Sequence, residues 1–196
     1  MRPAIKSDKQ KLINIMVQSY YSNPTLLYLC RKLKNREKYI AHIASYMFDF
    51  AYRRNGVFLS SNEMGVTVCF QYNYRKPDLY DYYLKLKMAF SAFKWSKLSE
   101  INRHTSYVNS FRPKDGNYLY FWLYGVLPEE EPRVSAREMG FHILKLANEK
   151  GLSIYAETTI EQNKRVYERY GMEVYHFWYN PESKLPTWFL RTPLKS

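Results

Sequence analysis

The stretch Asn117–Val126 limits the choice of fold more than any other part of this chain. Tyr118, Tyr120, Trp122 and Tyr124 alternate with Leu119, Phe121 and Leu123, so a strand built from it is apolar on both faces. Such a strand needs a covering layer on each side, which predicts the central strand of a sheet with helices packed over it. The residues that follow supply those layers. A loop with Pro128 and Pro132 leads into a helical stripe of Ala136, Met139, Ile143, Leu146 and Ala147, which Gly151 closes as a C-cap. Leu152–Thr158 reads as the next strand, 161–170 as a short polar helix ended by Gly171, and 172–179 and 186–192 as two last strands with Pro181 in their turn.

The first half reads as packing helices and a hairpin. Ser7-Asp8-Lys9-Gln10 has the pattern of a capping box, and Leu12, Ile15, Met16 and Tyr20 behind it predict a helix over 8–21, ended by Asn23-Pro24. Helices are expected over 25–33 and again after Asn35, where Tyr39, Ile43, Met47 and Phe50 share one stripe. Gly56–Ser60 and Gly65–Tyr72 predict an antiparallel hairpin about Ser61-Asn62-Glu63-Met64, and helical patterns return over 78–93 and 96–109. The tyrosines at 72, 74, 80, 82 and 83 suit either an acceptor pocket or the packing of a helix on the sheet, and packing is the expectation.

At 196 residues one domain with one hydrophobic core accounts for the whole chain, and 46% hydrophobic with 24% charged residues argues against a disordered or fibrous protein. Cys30 and Cys69 have no second Cys or His at ligand spacing, and His42, His104, His142 and His176 stand singly, so no metal is expected. Met1–Lys11 is charged throughout, and nowhere do about 18 apolar residues run uninterrupted, so the expectation is a cytoplasmic protein without signal peptide or membrane span. The net charge of +12 suits an anionic partner without choosing among nucleic acid, membrane and a polyanionic cofactor.

The run Tyr124-Gly125-Val126-Leu127-Pro128-Glu129, the loop and helix up to Gly151, Ala156-Glu157-Thr158-Thr159, and Asn163 to Met172 together resemble the cofactor half of the GNAT superfamily of acyl-CoA-dependent N-acyltransferases. The resemblance implies a single α/β (α+β) domain over 1–196, with a central mixed, mostly antiparallel sheet flanked by helices and with splayed central strands. Residues 116–193 would form the acyl-CoA half, and 1–115 the helices and hairpin of the acceptor side. The implied activity is transfer of an acetyl group from acetyl-CoA to an amine by direct attack, with acetyl-CoA as co-substrate and no metal.

The resemblance also implies roles for single residues. Val126 and Pro128 match the family's "V-x-P" strand end, whose free edge pairs with the pantetheine arm, and Gly125 is placed to give the strand a local bulge. Tyr124, Gly125 and Val126 on the strand, Arg133, Val134, Ser135, Ala136 and Arg137 at the helix start, and Asn163 are the implied cofactor-binding residues. Tyr167 resembles the general acid that protonates the leaving thiolate, and four residues after Asn163 it lies on the same helix face. For the general base the reading is divided between Glu157 and a water relay.

The phosphate loop departs from the family pattern. Glu131 stands at the usual Arg or Gln and Val134 at the central glycine, with Ala136 at the final small residue and Pro132 between. A Cβ narrows a cradle built from bare amides, and a carboxylate repels phosphate, although Arg133 and Arg137 offset some of that charge. Two other readings follow: a GNAT-like protein that binds CoA without turnover, and a nucleic-acid-binding module drawn from the runs Tyr52-Arg53-Arg54 and Tyr72-Asn73-Tyr74-Arg75-Lys76.

Overall fold

The computed structural model describes residues 1–29, 33–92, 97–130 and 132–193, with the side chains at 33, 132 and 133 outside that description. The expected hairpin and central strand are joined in one seven-stranded sheet. Its strands are β1 (Arg2–Pro3), β2 (Val57–Leu59), β3 (Gly65–Gln71), β4 (Leu119–Val126), β5 (Ile154–Thr158), β6 (Glu173–Tyr179) and β7 (Pro186–Arg191), in the order β1-β2-β3-β4-β5-β7-β6. All neighbours are antiparallel except β4 and β5, the parallel pair at the centre.

The helices are α1 (Lys9–Ser19), α2 (Pro24–Leu29), α3 (Arg36–Tyr52), α4 (Leu79–Ala92), α5 (Leu98–Ser110), α6 (Pro132–Lys150) and α7 (Glu161–Arg169). On one face, Leu12, Ile15 and Met16 of α1 and Ile43, Met47 and Phe48 of α3 pack on Val57, Leu59, Val66, Val68 and Phe70. On the other, Ile143 and Ala147 of α6 and Tyr167 of α7 close over Leu119, Phe121, Ala156 and Leu190. This two-sided burial is what the apolar alternation of β4 requires. Gly151 and Gly171 end α6 and α7 at φ +64° and +81°, a backbone region that costs glycine nothing.

Three local expectations are corrected. Ser7 does not cap α1: the Asp8 carboxylate turns back to accept the Ile5 amide at 2.8 Å and the Arg2 guanidinium at 2.7 and 3.0 Å, which pins the two-residue edge strand β1. The bulge expected at Gly125 lies at Trp122 instead, because Val68 faces Leu123 while its neighbour Cys69 faces Phe121, leaving Trp122 as the extra residue. The Trp122 ring is held by edge contacts with Tyr46, Phe50 and Phe70, so aromatic packing fixes the extra residue in place.

The third correction concerns tyrosine. Tyr74, Tyr80, Tyr82 and Tyr83 are 49–59% exposed and line neither cavity described below, so they form a surface, while Tyr72, 40% exposed, packs as expected on the Tyr118 ring at 5.1 Å. The run Tyr52-Arg53-Arg54 is likewise turned inward. Arg54 is buried and pairs with Asp81 at 2.9 Å, while Arg53 pairs with Asp78 and Asp81, so neither guanidinium is free for phosphate. Among the described residues no helix is long and apolar enough to cross a membrane.

Candidate active site

β4 and β5 run side by side for only two residue pairs, Leu119 with Ile154 and Tyr120 with Tyr155. Beyond them β4 continues for six residues and β5 for three with no pairing between them. The bulge at Trp122 supplies a cause, since an extra residue bends a strand and increases its twist, and here it falls just past the last shared pair. The result is a V-shaped gap between two parallel strands, with α6 and α7 on one side and the end of α1 on the other.

A cleft of about 1080 Å³ opens at this gap. Tyr124, Gly125 and Val126 line it from β4, Ala136 and Arg137 from the start of α6, Asn163 and Arg169 from α7, and Tyr20 from the end of α1. The Tyr124 hydroxyl donates to Asn163 Oδ1 at 3.2 Å, joining the parted strand to α7 across the cleft. Burial raises the Tyr124 phenol above its ordinary value, and neighbouring Tyr170 adds to the effect. Arg137 lies over the Phe141 ring at 5.6 Å, and among the described residues neither it nor Arg169 is in an ion pair.

Gly125 has a packing role. A Cβ there would stand 2.5 Å from Ser19 Oγ, so the missing side chain lets the end of α1 close against β4. That approach brings Tyr20 into reach, and its hydroxyl donates to the Tyr124 carbonyl at 2.9 Å.

The remaining residues named from sequence fall elsewhere. Tyr167 is 8% exposed and sits behind the cleft wall, its ring 5.4 Å from Phe121 and 6.3 Å from Tyr124. Burial pushes its phenol well above the usual value, with Tyr124, Tyr20 and Glu157 adding to the shift. Among the described residues its hydroxyl has no hydrogen-bond partner. Val134 is exposed at the outer surface of the first turn of α6 and does not line the cleft. Ser135 is fully buried and donates to Glu130, whose carboxylate also accepts the Asn62 amide at 2.5 Å. The hydroxyl is therefore used inside the protein. Glu131 and the side chain of Arg133 lie outside the described residues.

Glu157 is turned to the opposite face of β5. Its two oxygens accept Nε and Nη2 of Arg112 at 2.9 and 2.5 Å, and Arg112, 7% exposed, lies over the Tyr120 ring at 3.9 Å. Both carboxylate oxygens are engaged by a buried guanidinium, so the geometry shows Glu157 in a structural ion pair on the face of β5 away from the cleft. Sequence reasoning gave no role in the site to Tyr20, Arg112 or Arg169. Arg169 alone had a signal, its place in the run beginning at Asn163.

No protein-family model matches the sequence, and no curated protein matches it. Solved structures do. A histone acetyltransferase HPA2 and related acetyltransferase from Corynebacterium glutamicum aligns over 100% of this chain and 96% of its own, with TM-score 0.68 and 16% identity. The chain has the GNAT fold. The C-terminal condensation domain of Ebony, solved with beta-alanyl-dopamine, aligns over 97% of this chain and 96% of its own at TM-score 0.70 and 14% identity. Arylalkylamine N-acetyltransferase 2 from Aedes aegypti covers 99% and 98% at TM-score 0.68 and 11% identity. Identities this low carry the fold and leave chemistry to the residues of the cleft.

Proposed function

We propose that this GNAT-fold protein transfers an acyl group, acetyl in the simplest case, from acyl-CoA to an amine. The observation that carries the reading is the parting of β4 from β5 after Tyr120 and Tyr155, at the mouth of the large cleft. A strand edge without a partner strand offers backbone donors and acceptors to an amide-bearing arm, as an added strand would. Asn163 stands over that edge, and Arg137 and Arg169 supply positive charge for the phosphates of the co-substrate. The bulk of these structural relatives are acetyltransferases by name, which supports the same class of chemistry.

Direct attack by the amine suits the residues present. Cys69, the cysteine among the described residues, is fully buried and its thiol is pushed far up by burial, which removes it as a nucleophile. Tyr167, behind the Tyr124 ring, would serve as proton donor for the leaving thiolate once that ring moves aside to open the wall. Its raised pKa keeps the phenol protonated across the working range, and it gives up its proton only where burial also makes the thiolate more basic.

A second reading, binding without turnover, is motivated by the phosphate loop, where Glu131 and Val134 stand at the family's Arg or Gln and central glycine. Calorimetry with acetyl-CoA together with thiol release over a panel of primary amines separates the two. Heat with release supports the transferase, heat without release supports the binder, and no heat at sub-millimolar co-substrate overturns both.

A further inference from the structure

A second cavity, of about 50 Å³, lies where α2, α5 and the turn between β6 and β7 meet. Thr25, Glu100, His104, Thr159 and Thr187 are among its walls. Thr25 and Thr159 meet hydroxyl to hydroxyl at 3.0 Å. Ile160, next to Thr159, and Asn23, two residues before Thr25, line the large cleft, so the two cavities adjoin at this threonine pair.

The small cavity carries an unmet hydrogen bond. Thr187 is 2% exposed, and among the described residues its hydroxyl has no partner. Leaving a buried hydroxyl unpaired is costly, and a polar ligand in the cavity would recover that cost. His104 and Glu100, four residues apart on α5, both reach the same space. Glu100 is 8% exposed and accepts the Lys97 ammonium at 2.8 Å. Burial works against its charged form, but the hydrogen bonds from Lys97 and Tyr28 outweigh this and hold the carboxyl below its ordinary range.

The His104 ring packs on Trp178 at 5.4 Å. Burial holds its imidazole below the usual value of 6.5, against the pull of Glu157, Glu100 and Glu182 and with the help of Arg112. It is therefore neutral at pH 7, the form that accepts a proton. A charged carboxylate, a neutral imidazole and an unpaired hydroxyl around one small space match a primary ammonium, which brings donors and one proton to lose. The volume admits that head with its first carbons and excludes an aromatic ring.

We infer that this second cavity binds the acceptor, that the acceptor is a small unhindered primary amine, and that His104 takes its proton. The chemistry rests on the transferase reading above, while the amine site itself is measurable without it. The ammonium gives one proton to His104, and the freed lone pair attacks the thioester carbonyl carbon. The C–N bond forms as the C–S bond breaks, the sulfur leaves as thiolate, and the remaining surplus nitrogen proton ends on that sulfur.

The test titrates the full chain with propylamine, and with propanol as control, while the ring resonances of His104 are followed by NMR with and without CoA. The expected result is a saturable His104 shift with propylamine alone. Thr187→Val, which keeps the shape and removes an unpaired hydroxyl, should melt no lower than the parent yet bind propylamine about tenfold more weakly. With acetyl-CoA present, His104→Gln should lower kcat/KM at pH 7 by about 10²-fold or more and abolish the fall in activity below pH 6.5, with the acetyl-CoA affinity unchanged. No saturable shift, or a Thr187→Val protein that binds the amine as well as the parent, overturns the inference. A propylamine shift in a protein that gives no heat with acetyl-CoA upholds the amine site and overturns the transferase reading.

Discussion

The Tyr20 hydroxyl donates to the Tyr124 backbone carbonyl at 2.9 Å, so the end of α1 occupies an acceptor on the strand that β5 has left. Tyr20→Phe removes the donor and leaves that carbonyl to water or to a bound arm. A stability loss of about 1 kcal/mol is expected, read as a drop of about 2–4 °C in Tm. Acetyl-CoA affinity should hold or rise, because a competitor for the strand edge is gone. Calorimetry on the variant checks this.

Arg112 and Glu157 form a buried pair with few other ways to satisfy either charge. Arg112→Met strands the carboxylate and should cost about 3–5 kcal/mol in urea unfolding. Glu157→Gln keeps the shape and should cost less. It should also lower acyl transfer less than about tenfold, well short of the 10²–10⁴-fold loss of a general base.

Gly125→Ala places a methyl 2.5 Å from Ser19 Oγ, which is itself held by the Ile15 carbonyl at 2.7 Å. Overpacking of this kind costs about 1–3 kcal/mol. Ser19→Gly in the same chain should recover most of that loss, and thermal melts of the single and double variants measure the coupling.

Acid should loosen the N-terminal edge. Hydrogen bonding to Arg2 holds the Asp8 carboxyl below its usual value, against the opposing effect of burial. A depressed carboxylate gives stability that is present above the unfolded pKa of about 4 and is lost as pH falls through the folded value. Stability measured between pH 5 and pH 2 should fall less steeply in Asp8→Asn than in the parent.

Much of the fold was legible because its signals are local. The alternation around β4 demands cover on both faces, and Gly151 and Gly171 mark two helix ends at the positive φ only glycine takes freely. What stayed hidden depends on contacts distant in sequence. Trp122 is one aromatic residue in a run of them, and nothing in that run says it is the extra residue of a bulge. Two residues of β1 carry no periodicity at all. Arg112 finds Glu157 45 positions later, and Glu157 read alone passes for a base. Asn163 was readable from its motif, while the depth of Tyr167 behind Tyr124 depends on how α7 settles on the sheet.

A crystal structure with acetyl-CoA bound tests the central claim most directly. The account predicts the arm lying along β4 between Trp122 and Val126, beside Asn163, with its phosphates near Arg137 and Arg169 and the acyl end turned toward Thr25 and Thr159. Co-substrate bound elsewhere, or a β4–β5 gap that stays empty at saturating acetyl-CoA, would contradict it.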